Sequence, residues 1–242
     1  MIRTALWFSY FSLFTFTTIL CFIPYLILKL LGLNQMLKKY MSAIAYIWGR
    51  HSFWAAGVRV EVTGVENIPK EDNILFVSNH QGIADIPVIL SFIPKPIGFI
   101  AKKELAIVPL INVWMLAFHC IFIDRGNIKS AHEVIEKGAE NIRHGYPMAV
   151  FPEGTRSRGE KMGVFKRGSL KLALKSEAII VPLTINGTYR LLEERGVITP
   201  GKVRLIIHPP VDVKKLSGEE RKDLAQRLQK IIESGLRAKE EE

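Results

Sequence analysis

A histidine and an aspartate, His80 and Asp85, lie five residues apart, directly after the apolar run Ile74–Ser78, which is predicted to be a strand. On a regular helix, residues at this spacing point about 140° away from each other, so the side chains could not pair there. They can pair if His80 lies on the loop leaving the strand and Asp85 begins the next helix, with Gly82 allowing a tight bend. An imidazole held by a carboxylate is a general base, able to take a proton from a hydroxyl as it attacks a thioester. The alternative is that Asp85 only caps a helix and His80 is an unrelated surface residue.

A second polar segment, FPEGTRS at residues 151–157, follows another predicted strand. The guanidinium of Arg156 suits a bidentate contact with a phosphate, although a solvated polar turn would look the same. Two further predicted strands end in basic residues, within KKEL at 102–105 and IDR at 123–125. Open α/β sheets place their chemistry at the carboxyl ends of strands. The four strand ends therefore predict one site that combines a base with an anion-binding surface.

The elements that must position these residues alternate between short apolar runs and amphipathic stretches. Strands are predicted at 59–63, 74–78, 97–101, 121–124, 148–151, 179–185 and 203–208. Many of these runs are continuously apolar, which is typical of strands buried on both faces. Helices are predicted near Asp85, at 128–144 and at 218–237, the last two with capping boxes at Ser130 and Ser217. The pattern predicts an α/β domain over residues 58–242, with a mostly parallel or mixed central sheet of about seven strands flanked by helices.

Charge is distributed unevenly along the chain. The 242 residues carry a net charge of +10, and six basic residues precede the first acidic one, Glu61. A basic, acid-free and aromatic-rich segment indicates contact with an anionic membrane surface and disfavours nucleic acid as a partner. The two cysteines, Cys21 and Cys120, have no metal-binding or redox spacing, which argues against a disulfide framework.

The first 57 residues are predicted to be a pair of membrane-anchoring helices. Residues 4–28 carry no charge, and a segment of this length could cross a bilayer. No signal-peptide cleavage site follows it. Pro24 predicts a kink, and an amphipathic segment follows at 34–57. One placement is a single span with the rest of the chain cytoplasmic, as the lysines after the span indicate. The other is a hairpin within one leaflet. A buried soluble helix pair is disfavoured, because soluble helices rarely run so far without a charge.

Four motifs together resemble a known family. They are NHQGIAD at 79–85, KKEL at 102–105 leading to IFIDR at 121–125, FPEGTRS at 151–157, and VPLT at 181–184. In order and spacing they are similar to the glycerophosphate acyltransferases of the 1-acylglycerol-3-phosphate O-acyltransferase type, over roughly residues 60–190. The first and third motifs together are highly specific. One departure is His119, which stands where the family often has a glycine before the IFIDR motif.

The resemblance implies a reaction and a location. His80 would be the general base on the free sn-2 hydroxyl of lysophosphatidic acid (1-acyl-sn-glycerol 3-phosphate), and Asp85 would orient it. The acceptor oxygen would attack the thioester of acyl-CoA or acyl-carrier protein, making phosphatidic acid for phospholipid synthesis. No metal and no cofactor would be needed. The protein would lie at the cell membrane among its lipids, with the catalytic domain on the cytoplasmic face.

The resemblance also assigns roles to the residues around this pair. The basic side chains proposed for the acceptor phosphate are Arg156 and Lys102, with Lys103 and Arg125 as lesser candidates. The residues proposed to line the pocket are Glu153, Gly154, Thr155, Ser157, Asn79 and Gly82. Glu153 would either hold the glycerol backbone or fix Arg156.

Two alternatives remain open at this point. The chain could be an acyltransferase for another acceptor, such as glycerol 3-phosphate or a different lysophospholipid. It could also be a non-catalytic, basic membrane-binding protein in which His80 and Asp85 are structural.

Overall fold

The computed structural model of the chain describes residues 1–124, 126 and 128–237. The strands are β1 (Val58–Thr63), β2 (Ile74–Ser78), β3 (Gly98–Lys102), β4 (Ile121–Ile123), β5 (Met148–Val150), β6 (Ile179–Asn186), β7 (Gly201–Ile207) and β8 (Val211–Asp212). The helices are α1 (Ile2–Thr17), α2 (Phe22–Leu30), α3 (Asn34–Ala56), α4 (Asp85–Phe92), α5 (Ile111–Ala117), α6 (Ile128–Arg143), α7 (Lys171–Ser176), α8 (Gly218–Lys222) and α9 (Leu224–Arg237). The predicted α/β class is confirmed.

Within the described residues, the strands form one eight-stranded mixed sheet in the order β1-β7-β6-β2-β5-β3-β4, with β8 pairing with β6. Strands β6, β2, β5, β3 and β4 are mutually parallel. Strands β7 and β8 run antiparallel to β6. The carboxyl ends of the five parallel strands therefore meet at one edge of the sheet, which we call the carboxyl edge. Strand β2 lies near the middle of this edge, between β6 and β5.

Helices cover both faces of the sheet, as the continuously apolar strands predict. Along β2, Leu75 and Val77 pack into a cluster with residues of α6, α7 and α9. The alternating residues Ile74 and Phe76 pack on the other face, with residues of α3 and α4. The side chains of β2 are fully buried, so the strand holds the loop that follows it, which carries His80, in a fixed place.

The predicted strands agree with the observed ones to within two residues at each end. Strand β8 was not predicted, because two residues carry no alternation pattern. The capping box at Ser217 is confirmed, although it caps the short α8, and a break at Asp223 divides the predicted helix in two. The box at Ser130 is wrong. Helix α6 begins two residues earlier, and the Ser130 hydroxyl accepts a hydrogen bond from the Asp124 backbone at 3.1 Å.

The N-terminal segment forms two nearly continuous helices, α1 and α2. The next helix, α3, runs back along them. A short 3₁₀ turn, Thr18–Cys21, separates α1 from α2. Pro24 explains this break, because it cannot donate to the carbonyl four residues earlier and its ring crowds that carbonyl. Gly32, at φ +67°, makes the turn into α3. By length and composition, Ile2–Leu30 is able to cross a membrane, and only 11% of its apolar window is buried within the protein.

Both ends of this apolar segment are fastened to the rest of the chain. The Arg3 guanidinium donates to the Ala56 carbonyl at 2.7 Å, and the Ile198 backbone donates to the Thr4 hydroxyl at 3.0 Å. Near the other end, Tyr25 is buried in a small apolar cluster with residues of α3. Helices α1 and α2 therefore lie along the folded domain, with most of their apolar side chains facing outwards.

Helix α3 joins this pair to the sheet. A Cβ atom on Gly49 would lie 1.5 Å from the Ser91 hydroxyl of α4, so only glycine allows the two helices to cross this closely. Near the end of α3, Phe53 and Ala56 enter the core of the sheet. The domain boundary between residues 57 and 58 stays a prediction. Helix α3 packs on α1 and α2, which precede this boundary, and on the sheet, which follows it.

Candidate active site

His80 and Asp85 pair at the carboxyl edge, as their spacing predicts. His80 lies two residues after β2, and Asp85 is the first residue of α4. The His80 Nδ1 donates to Asp85 Oδ2 at 2.7 Å. The His80 side chain is 16% exposed, whereas that of Asp85 is completely buried. Within the described residues, Nε2 of His80 makes no hydrogen bond, which leaves this nitrogen as an acceptor.

Asp85 accepts hydrogen bonds from three directions. Besides the imidazole, the Gly82 backbone donates to Oδ2 at 2.9 Å, and the Thr188 hydroxyl donates to Oδ1. Three donors converging on one carboxylate fix its orientation. Because a carboxylate is only an acceptor, His80 must carry its hydrogen on Nδ1. The site therefore holds the imidazole in the tautomer that a general base requires.

Further contacts fix the loop on which His80 lies. Its ring stacks on Phe151, with 4.0 Å between the ring centres. The side-chain amide of Asn79 exchanges two hydrogen bonds of 2.8 Å with the Ile185 backbone of β6. The Gly187 backbone donates to Gln81 Oε1 at 2.8 Å. Asn79 was predicted to line the substrate pocket, but its amide is buried and ties β2 to β6 through these two bonds.

The loop after β5 is hydrogen-bonded to the loop after β2. The Ser157 backbone donates to the His80 carbonyl at 2.8 Å, and the Arg158 backbone donates to the Gln81 carbonyl at 3.1 Å. The two polar segments that the sequence singled out thus form one continuous surface. Thr155 is exposed at this surface, and the Ser157 hydroxyl donates to the Gly159 carbonyl at 3.0 Å.

Glu153 lies beneath this surface. One carboxylate oxygen accepts from the His80 backbone at 2.6 Å, and the other accepts from the Gly163 backbone at 2.7 Å. Burial raises the pKa of Glu153, and the two backbone donors and His80 oppose that rise. The suggestion that Glu153 fixes Arg156 is wrong, because both of its oxygens bind backbone N–H groups. Glu153 instead sets the position of the His80 backbone.

The carboxylate that pairs with Arg156 belongs to Glu193, a residue that no sequence motif marked. Arg156 Nη1 donates to Glu193 Oε1 at 3.0 Å, and the Ile83 backbone donates to the same oxygen at 2.7 Å. The Glu193 side chain is 6% exposed, and that of Arg156 is 36% exposed. One guanidinium nitrogen is thus anchored near the His80 loop. Part of the guanidinium remains open to solvent.

Glu193 also explains why residue 82 is a glycine. A Cβ atom on Gly82 would lie 2.6 Å from Glu193 Oε2, so any side chain here would displace the carboxylate that holds Arg156. The left-handed backbone angle expected for a tight bend is not the reason, since Gly82 does not have a positive φ. Gly154, in contrast, has φ +75° and faces the Lys166 ammonium. Lys166 is an exposed cation beside the Arg156 loop that the sequence did not single out.

Two of the remaining predicted cations, Lys102 and Lys103, lie further along the carboxyl edge. Lys102 ends β3 and is exposed, and within the described residues its ammonium has no hydrogen-bond or ion-pair partner. Strand β3 is two positions from β2, which corresponds to about 10 Å across the sheet. Lys103 pairs with Asp124 at 2.6 Å, so it is less available than Lys102. Arg125 lies outside the described residues.

The arrangement is suited to acid–base chemistry next to an anion. A polarised imidazole faces solvent beside two basic strand ends, with Arg156 after the neighbouring β5 and Lys102 beyond it at the end of β3. Thr188, which holds Asp85 from the end of β6, was also missed by sequence reasoning. Its only signal was the VPLT motif, which lies in β6, the strand that Thr188 follows.

Comparisons with known proteins identify the family and support the fold. The family model described as Acyltransferase matches residues 59–186. The 1-acyl-sn-glycerol-3-phosphate acyltransferase of Borreliella burgdorferi is 36% identical over 174 residues, which cover 72% of this chain and 70% of that protein. The chloroplastic 1-acyl-sn-glycerol-3-phosphate acyltransferase LPAT1 of Arabidopsis thaliana is 31% identical over 197 residues, 79% of this chain and 55% of the plant protein. The crystal structure of the 1-acyl-sn-glycerophosphate (LPA) acyltransferase PlsC from Thermotoga maritima superposes with a TM-score of 0.82 at 34% identity, covering 100% of this chain and 99% of that one.

Proposed function

This chain belongs to the Acyltransferase family, and from that premise we propose that it acylates the sn-2 hydroxyl of 1-acyl-sn-glycerol 3-phosphate to form phosphatidic acid. The observation that carries the proposal is the buried Asp85 carboxylate, which holds His80 with Nε2 free and beside the Arg156 loop. The names of the relatives support this acceptor.

The proposed chemistry is a single acyl transfer. As the sn-2 oxygen attacks the thioester carbonyl, its proton passes to His80 Nε2, and Asp85 stabilises the imidazolium that forms. Collapse of the tetrahedral intermediate breaks the carbon–sulfur bond, and the imidazolium returns the proton to the leaving thiolate. The products are an ester and a free thiol, and His80 is ready for another cycle. General-base catalysis of this kind contributes roughly 10²–10⁴ in rate.

The acceptor phosphate would bind beside His80, at the exposed part of the Arg156 guanidinium and at Lys102. Lys166 adds a third cation at the same loop. Lys103 would contribute less, because Asp124 already neutralises it. The donor would be acyl-CoA or acyl-carrier protein, and the reaction as written requires no metal and no cofactor.

The anchor would lie within one leaflet instead of crossing the bilayer. Arg3 and Thr4 contact Ala56 and Ile198, while Tyr25 is buried at the far end of the same segment. A span perpendicular to the membrane would have to break the contacts at one of these ends. We place the hairpin on the cytoplasmic face, where the lysines that follow α2 meet anionic lipid.

The experiment is acyl transfer by the purified full chain with labelled 1-acyl-sn-glycerol 3-phosphate, glycerol 3-phosphate and other lysophospholipids, using acyl-CoA and acyl-carrier protein as donors. We expect labelled phosphatidic acid from wild type and none from His80→Ala with an unchanged melting temperature. Full activity in a folded His80→Ala variant would show that the pair is structural. A preference for another acceptor would replace the proposed substrate and leave the dyad in place.

A further inference from the structure

The chain has a second long apolar stretch, which contributes nothing to the site described above. Residues 105–118 carry no charge, and they include α5 and the turn before it. Ile107 is 82% exposed and Leu116 is 61% exposed, and Leu105, Ile111 and Val113 are also exposed. Isolated exposed apolar residues need no explanation, but five of them within residues 105–116 mark a candidate interaction surface.

The only amide side chain in this stretch is turned inwards. Asn112 donates its Nδ2 hydrogen to the Ala106 carbonyl at 2.9 Å, within the same segment. Its carbonyl oxygen is buried and has no hydrogen-bond partner among the described residues. The outward surface is therefore apolar without a polar interruption, as a lipid-facing surface must be.

This surface is continuous with the N-terminal hairpin. On the inner side of α5, the Trp114 indole donates to the Thr18 hydroxyl at 2.9 Å. The Trp114 ring also packs on Phe22, with 4.2 Å between ring centres. Phe118 joins the cluster that buries Tyr25. Helix α5 thus packs through Trp114 and Phe118 on the N-terminal hairpin, most of whose other apolar side chains face outwards.

We propose that Leu105, Ile107, Ile111, Val113 and Leu116, together called the α5 surface, insert into the same leaflet as α1 and α2. The inference rests on the proposed function, and its occupant is the acyl-chain region of a lipid monolayer. Two observations favour lipid: the packing on the hairpin, and the exposed cation Lys102 just before the stretch, where a lipid phosphate would lie. The surface would let a lysolipid keep its acyl chain in the membrane while its phosphate reaches Lys102 and Arg156.

The test compares two acceptors in the full-length protein. One is a long-chain 1-acyl-sn-glycerol 3-phosphate in anionic vesicles, and the other is a short-chain analogue dissolved below its micelle concentration. The variants are Ile107→Glu and Leu116→Glu. Val65→Glu is the matched control, because Val65 is also an exposed apolar residue but follows β1, at the opposite edge of the sheet.

We expect each α5 variant to lose about tenfold or more in rate on the vesicle acceptor, equivalent to roughly 1.4 kcal/mol. The rate on the dissolved acceptor should remain that of wild type, and Val65→Glu should change neither. Equal losses on both acceptors, or no loss on either, would overturn the proposal. If the wild-type chain is dimeric and Ile107→Glu makes it monomeric, the surface binds a second copy and the proposal is also wrong.

A second measurement stands apart from catalysis. A bimane label on Ile107→Cys should be quenched by lipids that carry doxyl groups on their acyl chains, whereas the same label on Val65→Cys should not. The labelled wild-type chain gives the background from Cys21 and Cys120. Quenching without any acyl transfer by wild type would support the α5 surface and refute the proposed function. Absence of quenching in a protein that transfers acyl chains would refute the α5 surface and support the proposed function.

Discussion

Replacing Asp85 by asparagine separates the charge of this residue from its hydrogen bonds. In the structure, Oδ2 accepts from His80 and Gly82, and Oδ1 accepts from the Thr188 hydroxyl. An asparagine can keep all three contacts, because its carbonyl can occupy the Oδ2 position and its amide can donate to a rotated Thr188 hydroxyl. Only the negative charge is lost, so the fold and the His80 tautomer should persist.

The expected loss of rate follows from the distance between the two groups. The imidazolium that forms during proton transfer would lie beside the carboxylate, with about 4 Å between the centres of charge. At an effective dielectric constant of about 20, that attraction is worth about 4 kcal/mol. Losing it should lower kcat by about 10³. The melting temperature should stay the same or rise, because asparagine removes a completely buried charge.

The assay is kcat for acyl transfer together with thermal unfolding, in Asp85→Asn, Thr188→Val and the double variant. Thr188→Val alone keeps the charge, so we expect a small rate loss and about 1 kcal/mol of destabilisation. In the double variant the asparagine amide has no acceptor and can turn over, which would reverse the His80 tautomer. The losses of kcat and of stability should therefore exceed the sum of those in the single variants. A folded Asp85→Asn variant with kcat within about threefold of wild type would refute the charge-stabilised base.

Three further predictions concern the anion site, a strained backbone position and pH. Arg156→Ala should raise the KM for the phosphate-bearing acceptor about 10- to 100-fold, because a charge-assisted hydrogen bond is lost, and leave the KM for the thioester unchanged. Equal increases in both KM values would contradict the phosphate assignment. His119 has φ +57° and stacks on Tyr146. The free energy of unfolding, measured in urea, should be about 1 kcal/mol lower for His119→Ala than for His119→Gly, and equal values would exclude backbone strain. Burial lowers the pKa of His208 below 6.5, so the unfolded state binds more protons and stability should fall as pH decreases below about 6.5. His208→Gln should show a shallower decline in urea titrations at several pH values, and an unchanged slope would refute this role.

The sequence predicts the local elements well because their signals are local. The strand runs, the Pro24 break and the pairing of His80 with Asp85 all depend on residues close together in the chain. The departure at His119 also has a local explanation, since a left-handed backbone position accommodates glycine most easily and histidine occasionally.

The contacts that could not be predicted from the sequence depend on the order of strands in the sheet. Strand β2 lies between β6 and β5, although both are far from it in the chain. That order brings Thr188 and Glu193 to the dyad, and neither belongs to a recognisable motif. It also explains why fixing Arg156 was one of the two roles predicted for Glu153. Both residues follow β5, but the fold directs Glu153 inwards to backbone N–H groups and brings Glu193 to Arg156 from another loop.

The backbone hydrogen bonds from Ser157 and Arg158 to His80 and Gln81 have a mechanical consequence. They make the base and the anion-binding loop one stiff body, so neither can swing aside to let a product leave. Product release would then depend on how readily the surrounding lipid rearranges. For this protein, we expect turnover to follow the fluidity of the bilayer and to slow sharply when the lipids enter a gel phase.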